Sequence, residues 1–477
     1  ELWNPARAVR LIEPYRDGNT RVGRHPVTGA IFPAAAIGAF AAGVGNPING
    51  TGVVRDGYQP GLRENSGLKM APRFGISWDP FGKGRTAFRA GAGIFFEGRE
   101  PGNRSFGVWR NPPTRSDPVI YYGTLSTLLE STGVEFPSAT TGFTRKWPMQ
   151  RTYQLNAGIQ QNVGFGTVVD VSYVGNLGRY LMQGRNLNSI PFGTNFRPEN
   201  RDPTTASSPL PASFLRPYIG YNDITMYSWD GNSSYHSLQT QANRRFARGL
   251  QFGGSWTWSK AMAYGDTNSA VISTLIDPKV WNYGPAGFDR THAFTLNWIY
   301  DVPGLSRYAG GAIARQVLDG WQVSGIANFQ SGAPLGIGLG FINAVDITGS
   351  PTDGARVEVI ADPRLPKSQR TFSRNFNTDA FRAPAVGTFG NAPRLFVRGP
   401  GINNWDISLF KNFFLPGERV KLQFRGEAYN AFNHTQFDGL DTATRFDARG
   451  VQANPRFGEF TSARASRRVQ LALRLSF

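Results

Sequence analysis

The chain has 477 residues, no cysteine, 57 glycines, 32 prolines and 13% aromatic residues, and its 51 Lys and Arg against 33 Asp and Glu leave a net charge of +18. The lack of cysteine excludes disulfides, thiolate metal sites and cysteine nucleophiles, and no run of about 18 apolar residues supplies a transmembrane helix. The arginines stand singly at polar positions of alternating segments rather than in one basic helix or tract, which speaks for a wet lumen or anionic lipid headgroups and against nucleic acid.

The chain opens Glu1, Leu2, Trp3, Asn4, Pro5, without the charged and apolar regions of a signal peptide, and reads as a fragment or a processed chain. Long stretches of helical period are missing, and glycine and proline punctuate the sequence throughout, so the chain reads as all-β. Alternation of period two, which puts successive side chains on opposite faces, marks twelve strands. They are expected at about 2–12, 72–79, 85–97, 150–163, 167–177, 234–246, 250–262, 289–301, 320–331, 403–413, 419–432 and 466–477. Between the first two, the apolar run 31–45 (IFPAAAIGAFAAGVG) is interrupted by Pro33 and reads as a packed loop or short helix. In 293–300, Phe294, Leu296, Trp298 and Tyr300 alternate with Ala293, Thr295, Asn297 and Ile299. In 321–330, Trp321, Val323, Gly325, Ala327 and Phe329 share one face. In 419–429 the apolar set is Val420, Leu422, Phe424, Gly426 and Ala428. The last strand, SRRVQLALRLSF, puts Val469, Leu471, Leu473, Leu475 and Phe477 on one face and Arg468, Gln470, Ala472, Arg474 and Ser476 on the other.

The connections alternate in length. Short ones fall at Asp79–Gly84, Gly164–Gly166, Ala247–Gly249 and Phe414–Glu418, with a less compact one at 302–319. Between them lie 13–71, 98–149, 178–233, 263–288, 332–402 and 433–465. Strands of this length with every second connection long predict an antiparallel transmembrane β-barrel, with short periplasmic turns and long extracellular loops. Aromatic residues of the apolar face fall at both strand ends, as two interfacial belts require. Trp78, Tyr300, Trp321, Phe413 and Phe477 lie near the short turns, and Phe96, Trp258 and Trp405 near the long loops. A sheet in hydrocarbon must close, because bare backbone N–H and C=O groups have no partner there.

Five stretches resemble the TonB-dependent outer-membrane receptors, in particular their Oar-like branch. They are Ala71–Gly93 (APRFGISWDPFGKGRTAFRAGAG), Asn282–Arg290 (NYGPAGFDR), Gly320–Pro334 (GWQVSGIANFQSGAP), Asn404–Asn433 (NWDISLFKNFFLPGERVKLQFRGEAYNAFN) and the terminal strand. HPVTGAIFPAAAIG and GNPING, within residues 1–70, also look like a loop region of that branch. The resemblance implies a 22-stranded barrel plugged by an amino-terminal domain. It makes the whole chain, 1–477, the carboxy-terminal part of such a barrel without its plug or TonB box. The plug domain and TonB, reached through the amino-terminal part, become partners, as do outer-membrane lipid and lipopolysaccharide. The final strand, through Val469, Leu471, Leu473, Leu475 and Phe477, resembles the signal read by the barrel-assembly machinery. The plainer reading of those five residues is lipid contact, and the two are compatible.

No catalytic motif appears, and Gly82 with Lys83 reads as a turn rather than a phosphate loop. The expectation is a non-enzyme with no cofactor and no metal. His25, His236, His292 and His434 lack metal spacing, and Asp438, Asp441 and Asp447 do not match a Ca²⁺ loop. Asp406, Arg425, Glu427, Arg468 and Arg474 read as a lumen ionic network rather than an acid–base pair. Tyr121, Tyr122, Tyr221, Tyr227 and Trp229 fall in expected loops, where they would either line a vestibule for a small molecule, carbohydrate or peptide or pack the loops together. The function expected is energised uptake or export across the outer membrane of a Gram-negative-type bacterium. The alternatives are a structural or adhesive surface protein and a soluble all-β carbohydrate-active enzyme.

Overall fold

The computed structural model describes residues 3–51, 67–97, 107–108, 110–115, 117, 119–120, 133–146, 148–205, 207–267, 270–414 and 420–477. Eleven long strands form one antiparallel meander: β1 (Arg73–Trp78), β2 (Thr86–Glu97), β3 (Gln150–Gly164), β4 (Thr167–Asn186), β5 (Tyr221–Ala247), β6 (Leu250–Ala263), β7 (His292–Asp301), β8 (Trp321–Gln330), β9 (Ile402–Phe414), β10 (Lys421–Tyr429) and β11 (Arg468–Ser476). Each pairs with its neighbours in sequence order, and β1 and β11 each have a single neighbour among the described residues. The sheet described is therefore open at two edges. The strand expected at 2–12 does not form: Pro5–Arg7 is a 3-10 turn, and Leu11 makes only an isolated bridge to Phe40. Pro5 accounts for part of this, since it has no N–H for a ladder and fits the first turn of a helix. Residues 13–33 instead form a small three-stranded meander. Of the run 31–45, residues 31–33 are its third strand, not loop, while 34–45 begin with a 3-10 turn and pack Ala36 and Ala39 against Ile12.

Register is what sorts the two faces. One row across eight strands reads Trp78, Phe88, Ile159, Val171, Thr240, Trp256, Phe294, Phe329. A second reads Leu250, Tyr300, Val323, Leu409, Gly426, Leu471. On the opposite face a row reads Gln160, Asp170, Gln241, Ser255, Thr295, Asn328, Asn404, polar at every strand. A slip of one residue at any pairing would send apolar side chains into the polar face, so the alternation in each strand and the register between strands are mutually consistent. Many of the apolar set lie open to the surroundings, including Trp78 at 59% and Leu473 at 69%. In water this would be an aggregation surface; against hydrocarbon it is a wall. No helix among the described residues is long and apolar enough to cross a membrane.

The connections alternate as expected, with two differences. The 302–320 turn contains two short helices, Ser306–Ala309 and Ala312–Leu318. The strands β4 and β5 run for 20 and 27 residues, well into the segment expected as loop 178–233. About ten residues cross the hydrocarbon, so both strands continue beyond it as a ribbon. Residues 138–143 and 271–272 pair in parallel with this ribbon, the exceptions to the antiparallel pattern.

The main buried apolar cluster lies in the loops. Ile337, Val357, Phe376, Phe381 and Val397 from the β8–β9 connection pack with Phe446 and Phe457 from the β10–β11 connection. Parallel bridges join Gly338 to Ala443 and Phe341 to Phe446. The other long connections lock into the same layer. Ser350 Oγ donates to Ile190 O at 2.6 Å, Arg398 pairs with buried Asp289 at 2.7 Å, and Arg21 pairs with buried Asp202 at 2.8 Å.

Candidate functional site

The polar face of β7 to β11 meets the loop layer in a cleft of about 1060 Å³. Its floor is Thr295, Asn328, Asn404 and Asp406 from the strands, and its rim is Gln436, Arg464 and Arg468. The strands put these side chains inward because each sits at the polar phase of the alternation. Hydrogen bonds from amide groups fix the rim to the wall. Gln436 Nε2 donates to Asn404 Oδ1 at 3.0 Å, Asn404 Nδ2 to Asp406 Oδ1 at 3.0 Å, and the Asn430 backbone N–H to Asp406 Oδ1 at 2.9 Å. Asn430 also accepts from the His434 N–H and donates to its carbonyl, both at 3.0 Å, so His434 belongs to a turn held by its backbone.

The ionic network expected among Asp406, Arg425, Glu427, Arg468 and Arg474 takes another form. Arg425 Nε donates to Gln423 Oε1 at 2.7 Å and Glu427 accepts from the Tyr429 hydroxyl at 3.1 Å. Among the described residues no ion pair joins the five. Their cross-strand neighbours explain it: Arg474 faces Gln423, Glu427 faces Gln470, and Arg425 faces Ala472 and Phe410, over whose ring it lies at 5.6 Å. Asp438, Asp441 and Asp447 do not converge either. Asp438 accepts from Ser462 Oγ, Asp441 from the Ala443 N–H, and Asp447 from the Val451 N–H. The Val451 bond, with those from Arg449, holds the Asp447 carboxyl below its ordinary range.

Tyr121 and Tyr122 lie outside the described residues. Tyr221, Tyr227 and Trp229 belong to β5 rather than to a loop, and each is about 5% exposed or less. The Tyr221 hydroxyl donates to Asn49 O at 2.5 Å. Tyr227 and Trp229 pack with Met182 in the ribbon, against Phe143 and Tyr180. Trp229 also lines a groove of about 680 Å³ with Arg151, Tyr153, Arg179, Tyr180 and Asp230. In this groove Arg151 lies over the Tyr180 ring at 4.4 Å, and Asp230 is neutralised by Arg185. Val469, Leu471, Leu473 and Leu475 lie on the apolar side of β11, Phe477 follows it directly, and all five are highly exposed, Phe477 at 99%.

Sequence reasoning missed two features. Arg356 inserts between connections: it donates to Trp281 O at 2.6 Å and covers the Trp281 ring at 3.9 Å, and burial pulls its guanidinium down to about 10. It therefore stays charged at neutral pH. The second is an aromatic stack at the long-loop end of the apolar face, where His292 lies against Trp256 and Trp258 at 5.9 and 6.5 Å. The signal was present for the stack, since His292 falls at the apolar phase of β7.

The model of the outer membrane beta barrel domain matches residues 18–470. The chain belongs to the outer membrane beta barrel domain family. It is thus an outer-membrane protein. The chain is similar to several solved barrels. The outer membrane transporter YddB from Escherichia coli is 13% identical, with 85% of this chain and 40% of that chain covered and a TM-score of 0.43. For the siderophore receptor PirA from Acinetobacter baumannii the figures are 9%, 85%, 40% and 0.39. For the ferric citrate transporter FecA they are 11%, 85%, 38% and 0.34. The chain spans about two-fifths of the length of these structures. No curated protein matches it.

Proposed function

We propose that the chain is the carboxy-terminal barrel portion of a TonB-dependent-receptor-like transporter of the Oar-like branch, which moves a small molecule, carbohydrate or peptide across the outer membrane without catalysis. The observation that supports this most is the cleft, where amides of the inner wall, with Asp406, Arg464, Arg468 and the rings of Phe294 and Phe329 beside them, pass directly into a packed loop layer. Such a wall offers many neutral donors and acceptors and few charges, which suits a polyhydroxylated or peptide-like ligand that must bind and then leave. In this reading a plug domain fills the lumen and TonB supplies the energy. The barrel is part of a 22-stranded cylinder, and β1 and β11 are strands that pair with the remainder. The aromatic residues Tyr121, Tyr122, Tyr221, Tyr227 and Trp229 would serve recognition. In this reading Trp229, which borders a groove but is itself buried, would act as Tyr221 and Tyr227 do, by packing the wall behind the ligand. The exposed face of β11, Val469 to Phe477, serves the barrel-assembly machinery and then lipid, including lipopolysaccharide.

The test compares uptake from a defined compound panel in cells lacking the gene and in cells lacking TonB. Loss of the same compounds in both strains is the expected result. Undiminished uptake in the first strain, together with loss of surface attachment, would replace transport with the adhesive reading. That second reading draws on the loop layer, which has a hydrophobic core of its own.

A further inference from the structure

The turn between β7 and β8 differs from an ordinary short hairpin. Its helices leave Leu305, Tyr308, Ile313 and Val317 exposed, Ile313 at 82% and Tyr308 at 77%. At 100° per residue, Ile313 and Val317 form one stripe, Ala314 and Leu318 turn toward the barrel, and Arg315 points opposite the stripe. The turn is tied down rather than loose. Ser306 donates through its backbone N–H and its hydroxyl to Asp319 at 2.9 and 2.6 Å. The Trp321 indole donates to Val317 O at 2.8 Å.

Two links place this turn on the lipid side. Trp321 belongs to the apolar phase of β8, the same face as Val323 and Leu409, so its bond to Val317 draws the helix 312–318 to the outer rim. Its cross-strand partner Lys411 also has the outward phase. Lys411 is buried at 3% exposure, lies 5.3 Å from the Trp321 ring and 5.4 Å from the Phe413 ring, and donates to Asp319 O. The apolar wall is thereby continuous with the apolar stripe of the turn. The short turns β1–β2 and β3–β4, at the same end of the sheet, carry Phe81 and Phe165, 68% and 84% exposed. Arg307 stacks on Tyr308 at 4.8 Å, and Arg315 is exposed on the second helix.

We propose that residues 305–317 are an interfacial anchor, lying on the leaflet at the short-turn end with Leu305, Tyr308, Ile313 and Val317 among the acyl chains and Arg307 and Arg315 at the phosphates. The partner is a phospholipid surface. An apolar face beside basic residues suits the headgroup boundary, and Lys and Arg reach phosphate while their stems stay in the apolar layer. Four exposed apolar side chains would be costly in water and become favourable contacts there. The anchor would fix the depth and tilt of the hairpin against the bilayer.

This chain has no cysteine, so a single cysteine introduced here labels uniquely once any cysteine outside residues 1–477 is replaced by serine. Ile313→Cys, Val317→Cys and Arg315→Cys, each carrying an environment-sensitive fluorophore, are placed in the full protein in vesicles of phosphatidylethanolamine and phosphatidylglycerol. The expected result is a blue shift at 313 and 317, with loss of emission to brominated acyl chains and protection from aqueous iodide. At 315 iodide quenches and brominated lipid does not. Iodide quenching at all three positions overturns the proposal, as does lipid quenching at all three, which would mean an immersed turn without a facing. Barrel assembly is checked for each variant by its heat-modifiable band, and Tyr308→Cys repeats the test should one helix variant fail to assemble.

Discussion

At Arg248 and Gly249 the backbone takes φ of 52° and 78°, and at Phe165 and Gly166 it takes 52° and 71°. Both pairs are two-residue hairpin loops with positive φ throughout, the turn whose twist matches that of the flanking strands. The two glycines differ in surroundings. A Cβ at Gly249 would lie 2.9 Å from the Asp301 carbonyl oxygen, whereas at Gly166 the nearest atom is 3.9 Å away. Gly166→Ala should therefore cost only the left-handed penalty, about 1–2 kcal/mol. Gly249→Ala should cost more, because backbone must move. The midpoint of heat modification, read by gel for each variant, gives the order, and equal midpoints would refute the steric part. Asp202 shows the electrostatic side. Burial acts to raise its carboxyl pKa, but bonds from Thr204 and Arg21 outweigh it, and the group titrates below its ordinary range. A carboxyl lowered by folding contributes stability that is complete above its ordinary pKa and lost as pH falls through the folded value. The 13–24 hairpin, held by Arg21, should resist acid-active protease at pH 5 and loosen below about pH 4. Asp202→Asn should loosen it at both, and a hairpin equally protected at pH 5 in that variant would show the pair to be idle.

For the strands, facing decides the effect of a charge. Leu471 lies on the apolar face of β11 opposite Gly426, and Gln470 on the polar face opposite Glu427. Leu471→Arg should cost about 2–4 kcal/mol near the bilayer midplane, and Gln470→Arg should be close to silent, as read from denaturant unfolding in vesicles. A harmful Gln470→Arg beside a silent Leu471→Arg would invert the facing. This alternation is the part of the fold most open to sequence reading, because period two needs no knowledge of partners: Phe294, Leu296, Trp298 and Tyr300 announce their face unaided. What was hidden has a physical reason in each case. Residues 3–12 alternate, yet Pro5 and contacts to the loop layer take them out of the sheet. Residues 221–231 read as loop because β5 runs well past the roughly ten residues a crossing needs. Tyr227 and Trp229 still alternate with Ser228 and Asp230, but their face is covered by Met182, Phe143 and Tyr180 rather than by the wall. The cleft was legible only as polar positions, since Gln436 and Asn404 meet through a connection whose path no local pattern encodes.

Taken whole, the molecule holds two kinds of order with different solvents. The sheet wall presents its apolar face to lipid and keeps little apolar core of its own, while the loop layer is built as a water-soluble protein is, around buried side chains. Phe446 is central to that layer: it is 1% exposed, faces Phe341 at 6.0 Å, and its backbone N–H bonds Gly340 O at 2.9 Å. Both the β8–β9 and the β10–β11 connections depend on it. Phe446→Ala should cost about 3–5 kcal/mol, and the loss should be felt by the loop layer as a cooperative unit rather than by the wall. Hydrogen exchange gives the separate readings. Amides of residues 337–341, 357–359 and 442–446 should lose protection together, while those of β7 and β8 keep theirs and the heat-modifiable band persists. Loss of protection spreading equally into β7 and β8 would mean that the loops and the wall fold as one, and that the packing of the connections is part of what holds the barrel.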